Sequence, residues 1–555
     1  MTDPSPAGVA AARLLARLTG LGLQHVVVSP GSRSQALALA AAALERQGLV
    51  RLHVRIDERV AGFTALGLAA ESGVPVAVVV TSGTAVAELH PAVLEAHHAG
   101  VPLLLLTADR PAELRGTGSN QTTVQPGIFG VAVAEVLDVP APEGEEDTAS
   151  AEGAAQHAWA VASRRRQPVQ LNLAYREPLS SRVERIGPLG GPLAGTDGGH
   201  ESLLIEPGPR TVVIAGDRAG EEAETFARAI DAPLLAEVSS GARFGPQLVG
   251  AYRPLLDDPE FGGKVERAIV FGHPTLSRQV PALLARADVD TVLVGPPGGE
   301  WFDPTGHRAA RVGSVVAESA DPDRSWRGRW VAASRRLLDE QADDLPYAGR
   351  PDSPGSRELR EHQRAELSAL RAPISRRSLV GAVWRATWPH DRLVVAASRL
   401  IREMDSAVPG KRIRVLANRG LAGIDGTVST ATGVALALAE TGRPGTTRVL
   451  LGDLALLHDA GALLRTPGEP EVRLQVVVGD DGGGTIFDSL EVAGSADPGD
   501  FERVLRTPRS VDYAALAAAY GWEHRRITNR GDLDRVLTAP APGRSLIEVP
   551  LDLAG

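Results

Sequence analysis

Short runs of unbroken apolar residues recur along this chain, each handing over to a helix-like stretch rich in small residues. In the first 180 residues they are HVVVS (25–29), LHVRI (52–56), VAVVVTS (76–82) and PLLLLTA (102–108), spaced about every 25 residues. A sheet with one wet face alternates apolar and polar side chains, whereas an unbroken run belongs to a strand buried on both faces. Runs of this kind joined by helices predict α/β architecture, a parallel sheet flanked by helices.

The pattern returns twice. A Gly/Pro-rich passage, GPLGGPLAGTDGGH (187–200), reads as a linker, after which TVVIAG (211–216), PLLAEV (233–238), RAIVFG (267–272) and DTVLVG (290–295) read as strands. A second linker, DDLPYAGRPDSPGS (343–356), precedes LVVAAS (393–398), VLLGD (449–453), LQVVVGDD (474–481) and LIEVPL (546–551). The expectation is three α/β domains, at residues 1–186, 187–356 and 357–555. The 555-residue chain is long enough for each to hold its own core.

A formal net charge of −10 argues against a nucleic-acid partner and for a small ligand or another protein. An anionic substrate would then need local arginines. The chain has no cysteine, which excludes disulfides, thiolate chemistry and Cys-ligated zinc. Its N-terminus reads as an amphipathic helix rather than a signal peptide, and no 18-residue apolar stretch predicts a membrane span. The expected location is the cytoplasm.

Ligands of open parallel sheets collect at the carboxyl ends of the strands. Polar and Gly-rich punctuation falls there in the outer two domains, as SPGSR, DER, SGT and ADRP in the first and ASRLIR, NRG, GDL and GDDGGG in the third. The middle domain offers AGDRAG, GHPTLSRQ and GPPGGEW, so the chemistry is expected in the outer two. Asp453 ends one apolar run and Asp480 ends the next. Two carboxylates at neighbouring strand ends can converge on one hard cation, with the Gly482 carbonyl as a third ligand. Such oxygen-only ligation suits Mg²⁺ carrying phosphate oxygens, with Mn²⁺ as the alternative ion. Glycines 482–484 would let backbone approach that phosphate closely.

The stretch HVRIDERVAGF (53–63) places Glu58 where a buried strand meets a buried helix. On the residues alone, Asp57 could cap the helix with Glu58 as a first-turn acid favoured by the helix dipole. A specific partner for Glu58 is the other reading.

The pair GDL (452–454) and GDDGGG (479–484) resembles the metal and diphosphate motif of thiamine-diphosphate enzymes. SPGSRS (29–34), RIDER (55–59), TSGTA (81–85), DRP (109–111), GTGSNQT (116–122), NRGLAGIDG (418–426) and GDLALLHD (452–459) follow in order. As a set they resemble one family of that class, the 2-succinyl-5-enolpyruvyl-6-hydroxy-3-cyclohexene-1-carboxylate synthases of menaquinone biosynthesis. The resemblance covers most of both outer domains and is loose in the middle.

It implies decarboxylation of 2-oxoglutarate on thiamine diphosphate and addition of the succinyl unit to isochorismate. It makes Glu58 the partner of the aminopyrimidine ring, driving the imino tautomer that deprotonates thiazolium C2. Catalysis would fall to Glu58, Gln121, Ser32 and Arg33. Ser32, Arg33, Arg110, Asn120 and Gln121 would meet substrate, with Ser32 and Arg33 facing isochorismate. Ser398, Arg402 and Arg419 would complete the substrate set, the two arginines holding the succinyl carboxylate. The cofactor set would be Glu58, Ser82, Gly83, Ser398, Ile424, Gly452, Asp453, Leu454, Gly483, Gly484, Ile486 and Phe487, with Ile424 as the wedge that bends the cofactor. The metal would take Asp453, Asp480 and Gly482. The site would be shared between subunits of a homodimer or a dimer of dimers.

The sequence departs from the family pattern in three places. Gly479 stands where an Asn is usual, Thr485 is an extra residue before Ile486, and Arg399 replaces the Asn of the usual SNPVRD segment. Two other readings stay open here: another thiamine-diphosphate enzyme, such as a 2-oxoacid decarboxylase or acetohydroxyacid synthase, and a nucleotide-binding or regulatory protein built on Rossmann-like units. His97-His98 reads as packing or surface, and EGEEDTASAEG (143–153) as a solvated loop.

Overall fold

The computed structural model describes residues 5–144, 147–181, 186–191, 202–295, 301–318, 324–340, 356–442 and 445–551. Most of both expected linkers lies outside the described residues. In the first domain six parallel strands, β1 (His25–Val28), β2 (Arg51–Val54), β3 (Val76–Val80), β4 (Leu103–Asp109), β5 (Glu135–Val139) and β6 (Val169–Ala174), form one sheet in the order β2-β1-β3-β4-β6-β5. The middle domain pairs β7 (Ser202–Ile205) with β13 (Ser314–Ala317). Its main sheet, ordered β12-β11-β10-β8-β9, comprises β8 (Thr211–Ala215), β9 (Leu234–Ala236), β10 (Arg267–Phe271), β11 (Asp290–Val294) and β12 (Ala310–Val312). The third domain has β14 (Arg392–Val395), β15 (Arg414–Leu416), β16 (Thr447–Gly452), β17 (Leu474–Asp480), β18 (Glu523–Arg526) and β19 (Arg544–Pro550), in the order β15-β14-β16-β17-β19-β18.

The first and third sheets therefore have the same strand order. The strands that were not visible in the sequence lack the unbroken apolar run. The β6 segment VQLNLA is interrupted by Gln170 and Asn172, which are buried but satisfied by Thr107, Gln125 and Asp109. The β18 segment EHRR is polar throughout. The stretch taken as a solvated loop is helical from Thr148, with Thr148 and Ala151 buried.

Two helices at the same topological place join the outer domains. Glu58–Ser72 links β2 to β3, and Thr427–Glu440 links β15 to β16. Both are buried along most of their length, so neither shows a polar face. They meet through a reciprocal pair of Thr-x-x-Gly segments. A Cβ on Gly67 would lie 1.9 Å from the Thr430 carbonyl oxygen, and one on Gly433 would lie 2.1 Å from that of Thr64. Only glycine permits this approach. The N-terminal helix Pro6–Leu21 forms as expected, with the Ser5 hydroxyl accepting from Gly8 N–H at 3.0 Å. No described helix is long and apolar enough to cross a membrane.

Candidate active site

The carboxyl ends of β2, β1, β3 and β4 lie side by side, and they deliver Glu58, Ser32-Arg33, Ser82-Gly83 and Arg110 in that order. Asp57 is the cap of the helix Glu58–Ser72, its Oδ1 accepting from Arg59 N–H at 2.9 Å and Val60 N–H at 3.2 Å. Glu58 is thus a half-buried first-turn acid that the cap does not need. Burial lifts its carboxyl above the usual range; its own backbone N–H opposes this, and Asp57 and Glu88 add to it.

Four of the expected residues form one knot. Arg110 Nη1 donates to Ser82 Oγ at 2.7 Å and to the Gln121 carbonyl at 2.6 Å. Ser82 Oγ also reaches that carbonyl, and Gln121 Nε2 returns a hydrogen bond to the Ser82 carbonyl at 2.8 Å. Gln121 is held at φ 54°, a left-handed conformation costly for a non-glycine residue. Gly83, at φ 88°, lies so close that a Cβ would sit 2.9 Å from Gln121 Cγ. Arg33 donates through Nη1 to the Tyr175 carbonyl at 3.2 Å, while its buried Nε has no partner among the described residues. Burial and then the neighbouring Arg110 lower its pKa. Ser32 and Asn120 are exposed; Asn120 enters the hydrogen bonding only by its carbonyl, so its side chain is not drawn into the knot.

In the third domain, β16 and β17 pair with Gly452 opposite Gly479, so Asp453 and Asp480 leave neighbouring strands at the same level. Asp453 is buried, and its Oδ1 accepts from Leu454 N–H at 2.8 Å. Burial pushes its carboxyl up to about 6; the Leu454 N–H opposes this, and Asp481 and Asp480 add to it. Asp480 accepts from Gly482 N–H at 3.2 Å, and Gly482 has φ 76° with open space where a Cβ would be. Converging carboxylates beside open backbone suit a hard cation. Among the described residues no group of three or more His, Asp or Glu side chains could hold a metal, a count that does not include pairs of carboxylates completed by a backbone carbonyl.

At glycines 483 and 484 a Cβ would lie 2.3 Å from the Arg506 carbonyl and 2.7 Å from that of Leu505, so close protein backbone by itself already requires glycine at both. The departures from the family pattern also prove to be joined. The Thr485 hydroxyl bonds Asp481, which Arg376 holds at 2.9 Å, and the Thr485 carbonyl accepts from Arg399 Nη1 at 3.0 Å. Thr485 opens the 3₁₀ turn Thr485–Ser489 that carries the half-buried Ile486 and Phe487. Arg402 Nη1 bonds the Ser398 carbonyl at 3.0 Å, and Ile424 is 37% exposed beyond β15.

The middle domain takes more part than the sequence suggested. Arg419 is buried, and its Nε and Nη2 donate to Thr275 Oγ1 at 2.9 Å and to the Thr275 carbonyl at 3.0 Å. Gln125 was also missed: it accepts from Gly83 N–H at 2.9 Å and donates to the Ala108 carbonyl at 3.1 Å.

Residues 9–129 match the family model described as thiamine pyrophosphate enzyme, N-terminal TPP binding domain. The crystal structure of benzoylformate decarboxylase from Polynucleobacter necessarius aligns over 98% of each chain, with a TM-score of 0.66 and 16% identity, a likeness of fold alone. Fold, site and family model together define the class, a thiamine-diphosphate-dependent enzyme. The 2-succinyl-5-enolpyruvyl-6-hydroxy-3-cyclohexene-1-carboxylate synthase of Leifsonia xyli subsp. xyli is 58% identical over 99% of this chain and 97% of its own. The synthase of the same name from Clavibacter michiganensis subsp. michiganensis is 54% identical over the same shares. The chain belongs to this synthase family.

Proposed function

We propose that the chain decarboxylates 2-oxoglutarate with thiamine diphosphate and transfers the succinyl unit to isochorismate. The products are 2-succinyl-5-enolpyruvyl-6-hydroxy-3-cyclohexene-1-carboxylate and CO₂, made in the cytoplasm for menaquinone biosynthesis. The observation that carries this reading is Glu58: a half-buried carboxyl with a raised pKa, left over after Asp57 has capped the helix. Thiamine diphosphate supplies the electron sink for decarboxylation.

The chain's own residues bind, orient and move protons. Glu58 would exchange a proton with the aminopyrimidine nitrogen, and burial, by raising its carboxyl above the ordinary range, favours the protonated form. Ser82 and Gly83, after β3, border the cofactor on the same edge of the sheet. Asp453, Asp480 and the Gly482 carbonyl hold Mg²⁺ or Mn²⁺, beside Gly452, Leu454 and the tight backbone of Gly483 and Gly484. Ile424 supports the cofactor, and Ile486 and Phe487 wall the pocket. Ser32 and Arg33 face isochorismate, and Arg110, Asn120 and Gln121 join them in the substrate site; Ser398, Arg402 and Arg419 complete it, the two arginines at the succinyl carboxylate. The working division is 1–186, 187–356 and 357–555.

The site is shared between two copies of the chain, in a homodimer or a dimer of dimers. Glu58 feels Asp57 and Glu88, while Asp453 feels Asp480 and Asp481, so neither has the other as a charged neighbour within one chain. Ile56 and Val124, each 73% exposed, and Leu421, 52% exposed, offer apolar surface near these strand ends for a second copy to cover. Mass spectrometry of the product made from 2-oxoglutarate and isochorismate tests the reaction. The expected result is the succinylated adduct only when both substrates and thiamine diphosphate are present. Release of succinic semialdehyde without adduct would make the chain a simple decarboxylase.

A further inference from the structure

Arg419 lies where all three domains meet, and each domain holds it differently. From the first domain, Glu95 on the helix His90–His98 accepts two consecutive amides, Gly420 N–H at 2.7 Å and Leu421 N–H at 2.9 Å. The loop is packed so closely there that a Cβ on Gly420 would lie 2.8 Å from the Glu95 carbonyl oxygen and 2.9 Å from Ala99 N. From the middle domain, Glu237 beyond β9 accepts the consecutive amides of Thr275 at 2.8 Å and Leu276 at 2.6 Å. Thr275 in turn takes the Arg419 guanidinium on its hydroxyl and its carbonyl.

Both glutamates are almost wholly buried, a position that costs free energy for a carboxylate unless it is well bonded. Burial lifts Glu95 to about 7 and Glu237 to about 8, against the pull of the amides each one binds. The result of this double clamp is one guanidinium fixed by two of its nitrogens. The third, Nη1, is buried with no partner among the described residues. Arg402 and Arg253 stand near enough that Arg419 and then Arg253 lower the Arg402 pKa, after burial. Arg419 also feels the buried carboxylates of Glu237 and Asp217, but neither accepts from Nη1, and an orphaned buried donor calls for an acceptor.

We propose that Glu95 and Glu237 are positioning residues for the 2-oxo acid: through the Gly420-Leu421 amides and through Thr275 they fix Arg419 with Nη1 left free for the substrate's distal carboxylate. This rests on the assignment of Arg419 to the succinyl carboxylate made above. Neither glutamate touches substrate or cofactor. Their effect is to remove the rotamer freedom that a long side chain would otherwise lose on binding, and to set the guanidinium's place within a fraction of an ångström.

The test is steady-state kinetics on Arg419→Ala, Thr275→Val, Thr275→Ser, Glu95→Gln and Glu237→Ala, with cofactor affinity and melting temperature measured alongside. The two amides reach separate oxygens of Glu95, so Gln there can accept only one of them. Both amides at Glu237 reach its Oε1, so Ala is needed to remove them, and Val removes the oxygen that receives Arg419 Nε. Arg419→Ala is expected to raise KM for 2-oxoglutarate ~100-fold, and Thr275→Val, Glu95→Gln and Glu237→Ala about tenfold, as for hydrogen bonds to a charged group. KM for isochorismate and cofactor affinity should stay within about twofold, the scatter of independent sites. Thr275→Ser, which returns the oxygen, should restore most of the loss. If Arg419→Ala leaves KM for 2-oxoglutarate unchanged, the assignment of Arg419 fails and the proposal falls with it. If Arg419→Ala raises that KM and Thr275→Val does not, the positioning proposal alone is overturned. Equal losses in both KM values, or in cofactor affinity, would reduce the clamp to a structural one and overturn it too. Thr275→Val, a near-isosteric change, keeps the test valid should a glutamate variant fail to fold.

Discussion

The first and third domains share one strand order and use the same run of four strand ends. Both place arginines there, Arg33 and Arg110 in one and Arg402 and Arg419 in the other, and they differ in what stands beside them. The first brings Glu58, Arg33, Arg110 and the Ser82–Gln121 knot, which are acid–base and cationic groups. The third brings Asp453 and Asp480 beside open glycine backbone, an anionic site for a cation. Even the helices that join the domains repeat the same Thr-x-x-Gly contact at the same topological place. Topology therefore fixes where a site can lie, and the few residues after each strand fix what it can do.

The division of labour is broken most severely by Glu58→Gln. Loss of the acid–base group should lower kcat by about 10²–10⁴, while calorimetry shows cofactor affinity nearly unchanged. Near-normal turnover would return Glu58 to the helix dipole. Asp453→Ala and Asp480→Ala should act on the other half, lowering Mg²⁺-dependent cofactor affinity by at least ~100-fold, beyond the ~10–100-fold usual for a group that only supports a ligand. Asp480→Asn should keep most of the affinity. Unchanged titrations in both alanine variants would remove the metal site.

The contact between the two domains has its own test. Gly433→Ala places a methyl group against the Thr64 carbonyl and should cost about 1–3 kcal/mol by chemical denaturation. Gly153→Ala, inside the helix Thr148–Arg165 with open space where the Cβ would be, controls for the change in helix propensity alone. The smallest effect is in pH. Asp453 must be ionised to ligate, and without metal its carboxyl lies at about 6, so protons compete only below that value. Mg²⁺ affinity should be flat above pH 7 and fall about tenfold per unit below 6. A fall beginning only near pH 4 would mean that Asp453 is not so buried.

The unbroken runs at β1, β3, β4, β8, β10 and β17 made the sheets legible, because burial on both faces writes itself into composition. The strands β5, β6 and β18 were not, because their polar residues are satisfied by partners distant in sequence, such as Gln125 for Asn172. At the strand ends, the positions of Asp453, Asp480, Arg110 and Gln121 could be read from motifs, but not the hydrogen bonds that tie Arg110 and Gln121 to Ser82. Glu95, Glu237 and Thr275 could not. Each acts through backbone amides or a single hydroxyl across a domain boundary, and such bonding leaves no spacing pattern. The departures Thr485 and Arg399 looked independent in the sequence, and only their 3.0 Å contact joins them.

The most direct test of two domains completing one site across two chains combines Glu58→Gln and Asp453→Ala protein. Each homodimer should be inactive. Dissociated together and reassembled at equal amounts, about half the dimers are mixed, and each mixed dimer carries both lesions in one site and none in the other. Product formation should then return to about a quarter of wild type. Activity that stays at the mutant background, with chain exchange confirmed by native mass spectrometry, would place Glu58 and Asp453 of each site in one chain and contradict the account.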